Sequence, residues 1–322
     1  SLWALLPRVA VPMALLSLFL LPPVRAHLGV TGRARLATPA LLGVAGLVLI
    51  GATFNAQFKP VDAGQRVLAE RTDAPAWTHY GASASGNSYS SAEQINRDNV
   101  ATLQHVWTFN TDEDAATSNT FQTTPIEIDG NLIFCSPSNR VFSLDGDTGE
   151  QNWVYDPKVE RDKVPFFVCR GLAHHRTLNA SVALGGAVNN PAACTSRVLM
   201  GTVDDRLLTL DANTGEPCPE FGDGGEIDLS QGLGKIMRGH HFVSSPPAVI
   251  GDIAVVGSFI MDNQSNRQPP GVVRAYNVHS GELVWAWDVL QATAHPPLEE
   301  GQSYPINTAN VWSLMSVDED LD

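Results

Sequence analysis

Three stretches of the chain superpose at a constant spacing of 66 residues, and a period in this range means that one supersecondary unit is stacked on copies of itself. They are Arg140-Val141-Phe142-Ser143-Leu144-Asp145-Gly146-Asp147-Thr148-Gly149-Glu150, Arg206-Leu207-Leu208-Thr209-Leu210-Asp211-Ala212-Asn213-Thr214-Gly215-Glu216, and Val273-Arg274-Ala275-Tyr276-Asn277-Val278-His279-Ser280-Gly281-Glu282. The first and third run on to a tryptophan four residues after the glycine, Trp153 and Trp285. Each copy reads as an apolar strand, a tight turn and a second strand. Asp145, Asp211 and Asn277 can bond the backbone two residues on, and Gly149, Gly215 and Gly281 supply the positive φ that closes the turn. Strands at Leu132–Phe134, Val198–Met200 and Ile253–Val256 precede them, two of these next to the turn pairs Asp129-Gly130 and Gly251-Asp252. Four short strands in about 66 residues make a propeller blade with a long inter-strand loop. Residues 62–322 have room for about four such blades, so the periodicity predicts an incomplete propeller.

Charge separates this region from what comes before it. Residues 1–61 hold five basic residues (Arg8, Arg25, Arg33, Arg35, Lys59) and no acid; residues 62–322 hold 15 Lys and Arg against 34 Asp and Glu, a net −19. That balance excludes a basic nucleic-acid-binding protein. Leu36–Phe54 is a 19-residue run without a charge, close to the roughly 20 needed to span a bilayer as a helix. Val9–Val24 is a shorter apolar run containing Pro12, Pro22 and Pro23, read either as the end of an earlier span or as a shorter membrane segment. Arg25, Arg33 and Arg35 lie between the two runs, which puts that connection in the cytoplasm and the acidic part on the other side, in a bacterial cell the periplasm. A membrane anchor over 1–61 and a propeller region over 62–322 are the expected domains. The chain opens within an apolar stretch at Ser1 and stops at Asp322 after an acidic cluster, and it reads as a piece of something longer. Cys135, Cys169, Cys194 and Cys218 suit an oxidising compartment without requiring disulfides, and no two have the C-x-x-C spacing of a structural zinc site.

The repeated Asp-x-x-Thr-Gly-Glu-x-x-Trp turn resembles the tryptophan-docking motif of quinoprotein dehydrogenases, eight-bladed propellers that bind pyrroloquinoline quinone (PQQ). Trp77-Thr78-His79-Tyr80-Gly81, Tyr89-Ser90, Gln94-Ile95-Asn96, Thr124-Pro125-Ile126 and Cys169-Arg170-Gly171 resemble the membrane-bound glucose dehydrogenase branch, and quinate and polyol dehydrogenases share much of this. The resemblance implies an all-β fold, part of an eight-bladed propeller preceded by transmembrane helices at the bacterial inner membrane. It also implies oxidation of an aldose such as glucose at C1, with electrons passed to ubiquinone.

PQQ is a planar, tricarboxylated o-quinone, so its pocket needs a cation, hydroxyl donors, an aromatic face and a divalent metal. By resemblance, Arg170 is the cofactor-binding cation, Ser244 the carboxylate-binding hydroxyl (Ser245 if the register slips by one), and Trp312 the floor under the ring. Asp262 and Asn263 match the metal site, a hard oxygen pair suited to Ca²⁺ or Mg²⁺. His175 matches a histidine placed near substrate, where an imidazole can orient a sugar hydroxyl. Gln122 stands where the glucose branch has a glutamate, and the adjacent cysteine pair of methanol dehydrogenases is missing. The family's general base, an Asp in a later blade, falls past Asp322, so no catalytic residue is expected in this chain. A non-catalytic envelope scaffold is the alternative from another class, but a scaffold has no use for Arg170, Asp262-Asn263 and Trp312 together. An open half ring would bare two sheet faces, which predicts poor stability in isolation.

Overall fold

The computed structural model describes residues 77–113, 120–160, 164, 167–177, 194–261, 268–291, 293–295, 298–307 and 309–318. All of these except Gln104–Val106 belong to one compact unit. Both apolar runs read as membrane segments, Val9–Val24 and Leu36–Phe54, lie outside the described residues. Among the described residues no helix is long and apolar enough to cross a membrane.

Three four-stranded antiparallel sheets realise the repeat. After a short strand β1 (Thr120–Phe121), sheet one consists of β2 (Ile126–Ile128), β3 (Asn131–Cys135), β4 (Val141–Asp145) and β5 (Gln151–Tyr155). A short β6 (Val168–Cys169) leads to sheet two, β7 (Ala173–Arg176), β8 (Ser196–Gly201), β9 (Arg206–Asp211) and β10 (Glu226–Asp228). Next come β11 (His241–Phe242), β12 (Ala248–Ile250), β13 (Ile253–Val256), β14 (Phe259–Ile260), β15 (Val273–Asn277) and β16 (Leu283–Trp287). Sheet three is β12-β13-β15-β16, and β11 pairs with β14 in a separate ribbon. Each sheet is a simple meander, and the three superposable stretches supply its third strand, as the pattern predicts. The expected four blades become three sheets among the described residues, with no closed ring, because neither 77–113 nor 288–318 forms strands of a fourth.

The middle sheet is covered on both faces, which explains why β8 is buried from end to end. Side chains alternate along a strand. Val198, Met200, Leu208 and Leu210 accordingly join Ile126, Ile133 and Trp153 of sheet one in a single cluster. Leu199 and Leu207 point the other way, into a cluster with Val249, Ala254 and Val256 of sheet three. The outer face of β16, by contrast, leaves Leu283, Val284 and Trp287 exposed.

The turns do what their residue types dictate. The Asp145 carboxylate accepts from the Asp147 and Thr148 amides at 3.0 and 2.6 Å, that of Asp211 from Asn213 and Thr214 at 2.9 and 3.0 Å, and the Asn277 side-chain oxygen from His279 and Ser280 at 2.9 and 3.0 Å. Gly215, at φ +75°, forms a seat: a β-carbon there would lie 2.5 Å from the Trp153 ring of the preceding sheet. The Trp153 indole N–H donates to the Ala212 carbonyl at 3.3 Å and completes the dock. Trp107 sits on Gly149 in the same way. Sheet two has no such tryptophan, and Ile227 of β10 takes the place on Gly281, where a β-carbon would lie 2.8 Å from its methyl.

Two disulfides, left open by the sequence, brace this stack. Cys135–Cys169 joins β3 to β6, and Cys194–Cys218 spans β8 and β9 of sheet two. Sequence separations of 34 and 24 place each in the range where loss of a bridge costs about 3 kcal/mol. Cys194→Ser with Cys218→Ser is therefore expected to lower the urea midpoint of the full-length protein markedly, and reductant is expected to do the same to the unaltered protein.

Candidate functional site

The first strand of sheet two, β7, packs near the first strand of sheet three, β12. Just ahead of them the chain forms a ledge. The Thr124 amide donates to the Arg170 carbonyl (3.1 Å) and the Arg170 amide to the Ser244 carbonyl (3.0 Å). Parallel pairing of β1 with β6, Phe121 opposite Cys169, extends the ledge backwards. The Ser245 hydroxyl carries it forward by donating to the Trp312 carbonyl at 2.7 Å. Gly257, directly after β13, lets the Trp312 segment lie this close, since a β-carbon there would overlap the Val311 carbonyl.

Four of the residues singled out in the sequence meet here. The Arg170 guanidinium donates to the Ser244 hydroxyl at 2.5 Å and reaches the Ser245 hydroxyl at 3.5 Å. Its central carbon stands 4.9 Å from the Trp312 ring centroid, within cation–π range. Ser244 is buried, while Trp312 is 48% exposed and so keeps ring surface open to a ligand. Gln122 lies on the ledge between Phe121 and Thr124 with its side chain exposed. Burial pulls the Arg170 pKa below its usual value, slightly opposed by Tyr80. Among the described residues no carboxylate pairs with this guanidinium. A partly desolvated cation without a counter-charge is costly, and an anionic ligand would relieve that cost.

His175 is not on the ledge. It lies five residues past Arg170, at the far end of β7, on the order of 15 Å away along an extended chain. There its Nε2 is 2.9 Å from an Asp252 carboxylate oxygen, and His279 Nε2 is 3.1 Å from the same atom. Burial, the largest influence, lowers the His175 pKa against the opposing effect of Asp252. Sequence reasoning missed both partners, although the turns that carry them, Gly251-Asp252 and Asn277-Val278-His279-Ser280, were visible as turns. Asp262 and Asn263, the expected metal ligands, lie outside the described residues.

The neighbouring His174 makes a pH prediction. Its Nε2 meets the Ser196 hydroxyl at 2.9 Å, and burial pushes its pKa from 6.5 down to about 4. Between those values the unfolded chain binds the proton and the folded one does not, so stability is full above pH 6.5 and falls as pH drops toward 4. Denaturant midpoints measured at pH 7 and 4.5 should differ less in His174→Gln than in the unaltered protein.

Comparisons with known proteins place the fold in a family. Residues 77–322 match the family model described as PQQ, glucose/ethanol/alcohol dehydrogenase, beta-propeller domain. The chain is 30% identical to quinoprotein glucose dehydrogenase A of Acinetobacter calcoaceticus over 336 aligned positions, 99% of this chain and 42% of that protein. It is 36% identical to quinate/shikimate dehydrogenase (quinone) of Acinetobacter baylyi over 253 positions, 75% of this chain and 31% of the relative. It thus spans less than half the length of these relatives. The crystal structure of quinohemoprotein alcohol dehydrogenase from Comamonas testosteroni is similar in fold, with a TM-score of 0.52 and 24% identity over 70% of this chain and 29% of that one. With the repeat, the stacked sheets and the family match in agreement, this chain belongs to the PQQ-dependent glucose/ethanol/alcohol dehydrogenase β-propeller family.

Proposed function

We propose that this chain is the cofactor-holding part of a membrane-bound quinoprotein dehydrogenase that oxidises an aldose such as glucose at C1 and passes electrons to ubiquinone, from an eight-bladed propeller in the periplasm. The observation that carries the reading is Arg170, which has no acid partner among the described residues, is aimed by Ser244 and stands beside the open indole of Trp312. That donor set fits a planar polycarboxylate: the guanidinium and the Ser244 hydroxyl would hold its carboxylate oxygens, and Trp312 would cover one face and exclude water. Bound there, PQQ supplies a two-electron acceptor. Asp262 and Asn263 would hold Ca²⁺ or Mg²⁺ through oxygen. Gln122, being uncharged, would contribute a hydrogen bond and no counter-charge to that metal.

Quinate is the second reading, favoured by the 36% identity to a quinate/shikimate dehydrogenase; the match over 99% of the chain favours glucose. The test is to reconstitute the full-length protein with PQQ and Ca²⁺ or Mg²⁺ and to assay dye reduction with each substrate. Turnover of glucose well above quinate is the expected result. Turnover of quinate alone would move the assignment to that branch, and absence of PQQ binding together with absence of activity would remove the enzyme reading.

A further inference from the structure

At the end of the first strands away from the ledge, three metal-capable side chains from two sheets converge. His175 comes from β7, Asp252 from the β12–β13 turn and His279 from the β15–β16 turn. Both Nε2 atoms approach one carboxylate oxygen, at 2.9 and 3.1 Å, and the three ligand atoms all lie within 4.8 Å of one another. The imidazole rings meet edge to face, 5.2 Å between centroids and 84° between planes, so their Nε2 atoms converge on Asp252 without stacking. His175 is 7% exposed and its Nδ1 is buried without a partner, which leaves Nε2, the nitrogen turned into the cluster, as the ring's one polar anchor. Asp252 is 60% exposed, so an ion has a path in and a water has a place beside it.

The neighbouring junction offers a comparison. Between sheets one and two the corresponding turn residue, Asp129, takes an ordinary ion pair from Arg176 at 2.6 Å. Between sheets two and three Asp252 is met by His175 across the junction and by His279 of its own sheet, two imidazoles that, unlike a guanidinium, can donate a lone pair to a metal. Bonds of about 2.0–2.1 Å to a tetrahedral ion separate neighbouring ligand atoms by roughly 3.3 Å, so each imidazole-to-carboxylate separation, 2.9 and 3.1 Å, is already within a few tenths of an ångström of that of a ligand set.

We propose that His175, Asp252 and His279 form a three-ligand site for a borderline divalent transition ion, with water as the fourth ligand, that ties sheet two to sheet three. Zn²⁺ is the probe, because two imidazoles and one carboxylate suit it and a hard oxygen site does not compete for it in the presence of Ca²⁺. The full-length protein is stripped with chelator, supplied with excess Ca²⁺, and titrated with Zn²⁺ against a chromophoric chelator. Asp252→Asn and His279→Asn serve as variants, since an amide preserves hydrogen bonding while removing the ligand.

The unaltered protein is expected to bind one more Zn²⁺ than either variant, at an affinity about 100-fold tighter than any the variants retain at this position. Saturating Zn²⁺ should raise its melting midpoint by about 5 °C and leave the variants unmoved. Equal Zn²⁺ stoichiometry and affinity in all three proteins would overturn the proposal. Co²⁺ gives a measurement that needs no variant. Visible absorption of tetrahedral intensity that Zn²⁺ displaces supports the site, and its absence in the unaltered protein refutes it.

Discussion

Arg170→Ala is expected to weaken PQQ binding to the full-length protein about 100-fold. A charge-assisted hydrogen bond to a ligand carboxylate contributes about 1.5–3 kcal/mol, and each factor of ten needs about 1.4 kcal/mol. The guanidinium has no protein counter-charge among the described residues, so relief of its desolvation should offset the lost contacts with Ser244 and Trp312 and leave the melting point of the cofactor-free protein nearly unchanged. That combination separates a ligand-binding arginine from a structural one, whose loss lowers both. Arg170→Lys should fall between, because an ammonium cannot both donate to Ser244 and lie flat beside Trp312. His175→Ala, changed at the far end of β7, should keep PQQ affinity within about threefold. Isothermal titration of PQQ into the four proteins decides the matter. Equal affinity in Arg170→Ala and the unaltered protein would detach the ledge from the cofactor.

The second large effect concerns the stack of sheets. Gly215→Ala places a methyl 2.5 Å from the Trp153 ring at a φ of +75°, so backbone strain and overpacking add. A combined cost of about 3 kcal/mol is expected, roughly 1 from the left-handed backbone and the rest from displacing the indole. Gly224→Ala isolates the first part, since Gly224 has φ +65° with nothing within 4 Å of the new methyl. Unfolding free energies from urea melts of the two variants of the full-length protein should therefore differ by about 2 kcal/mol. If the two variants were equally stable, docking of Trp153 on its neighbour's turn would have no energetic role.

The comparison of Trp153 with Ile227 shows how far sequence reading reaches. Asp-x-x-Thr-Gly-Glu-x-x-Trp announces both the turn and the residue that docks on the next sheet, because turn chemistry and strand alternation act over a few residues. In the second copy the tryptophan is missing, and nothing local says that Ile227, on the fourth strand of its sheet, fills its place on Gly281. The disulfides follow the same division. Four cysteines with no diagnostic spacing leave several pairings open, and Cys135 meets Cys169 only because β3 and β6 are brought together by stacking.

The candidate site divides in the same way. Arg170, Ser244 and Trp312 were readable as residue types in motifs, and the ledge joins them because each stands on the segment that leads into or follows a repeating unit. His175 follows the Cys169-Arg170-Gly171 motif closely yet lies toward the end of β7 away from the ledge, since a strand advances about 3.3 Å per residue and five residues carry it away. Its meeting with Asp252 and His279 could not be read from spacing, because those residues come from a different sheet.

By itself the sequence determined the unit: its strands, its turns and the 66-residue step between copies, all consequences of interactions within a short span. Only the tertiary structure decided what the units do to one another: which side chain docks on which glycine, which cysteines pair, and which histidine faces an acid. Those contacts join residues tens of positions apart, and their geometry is set by how whole sheets stack.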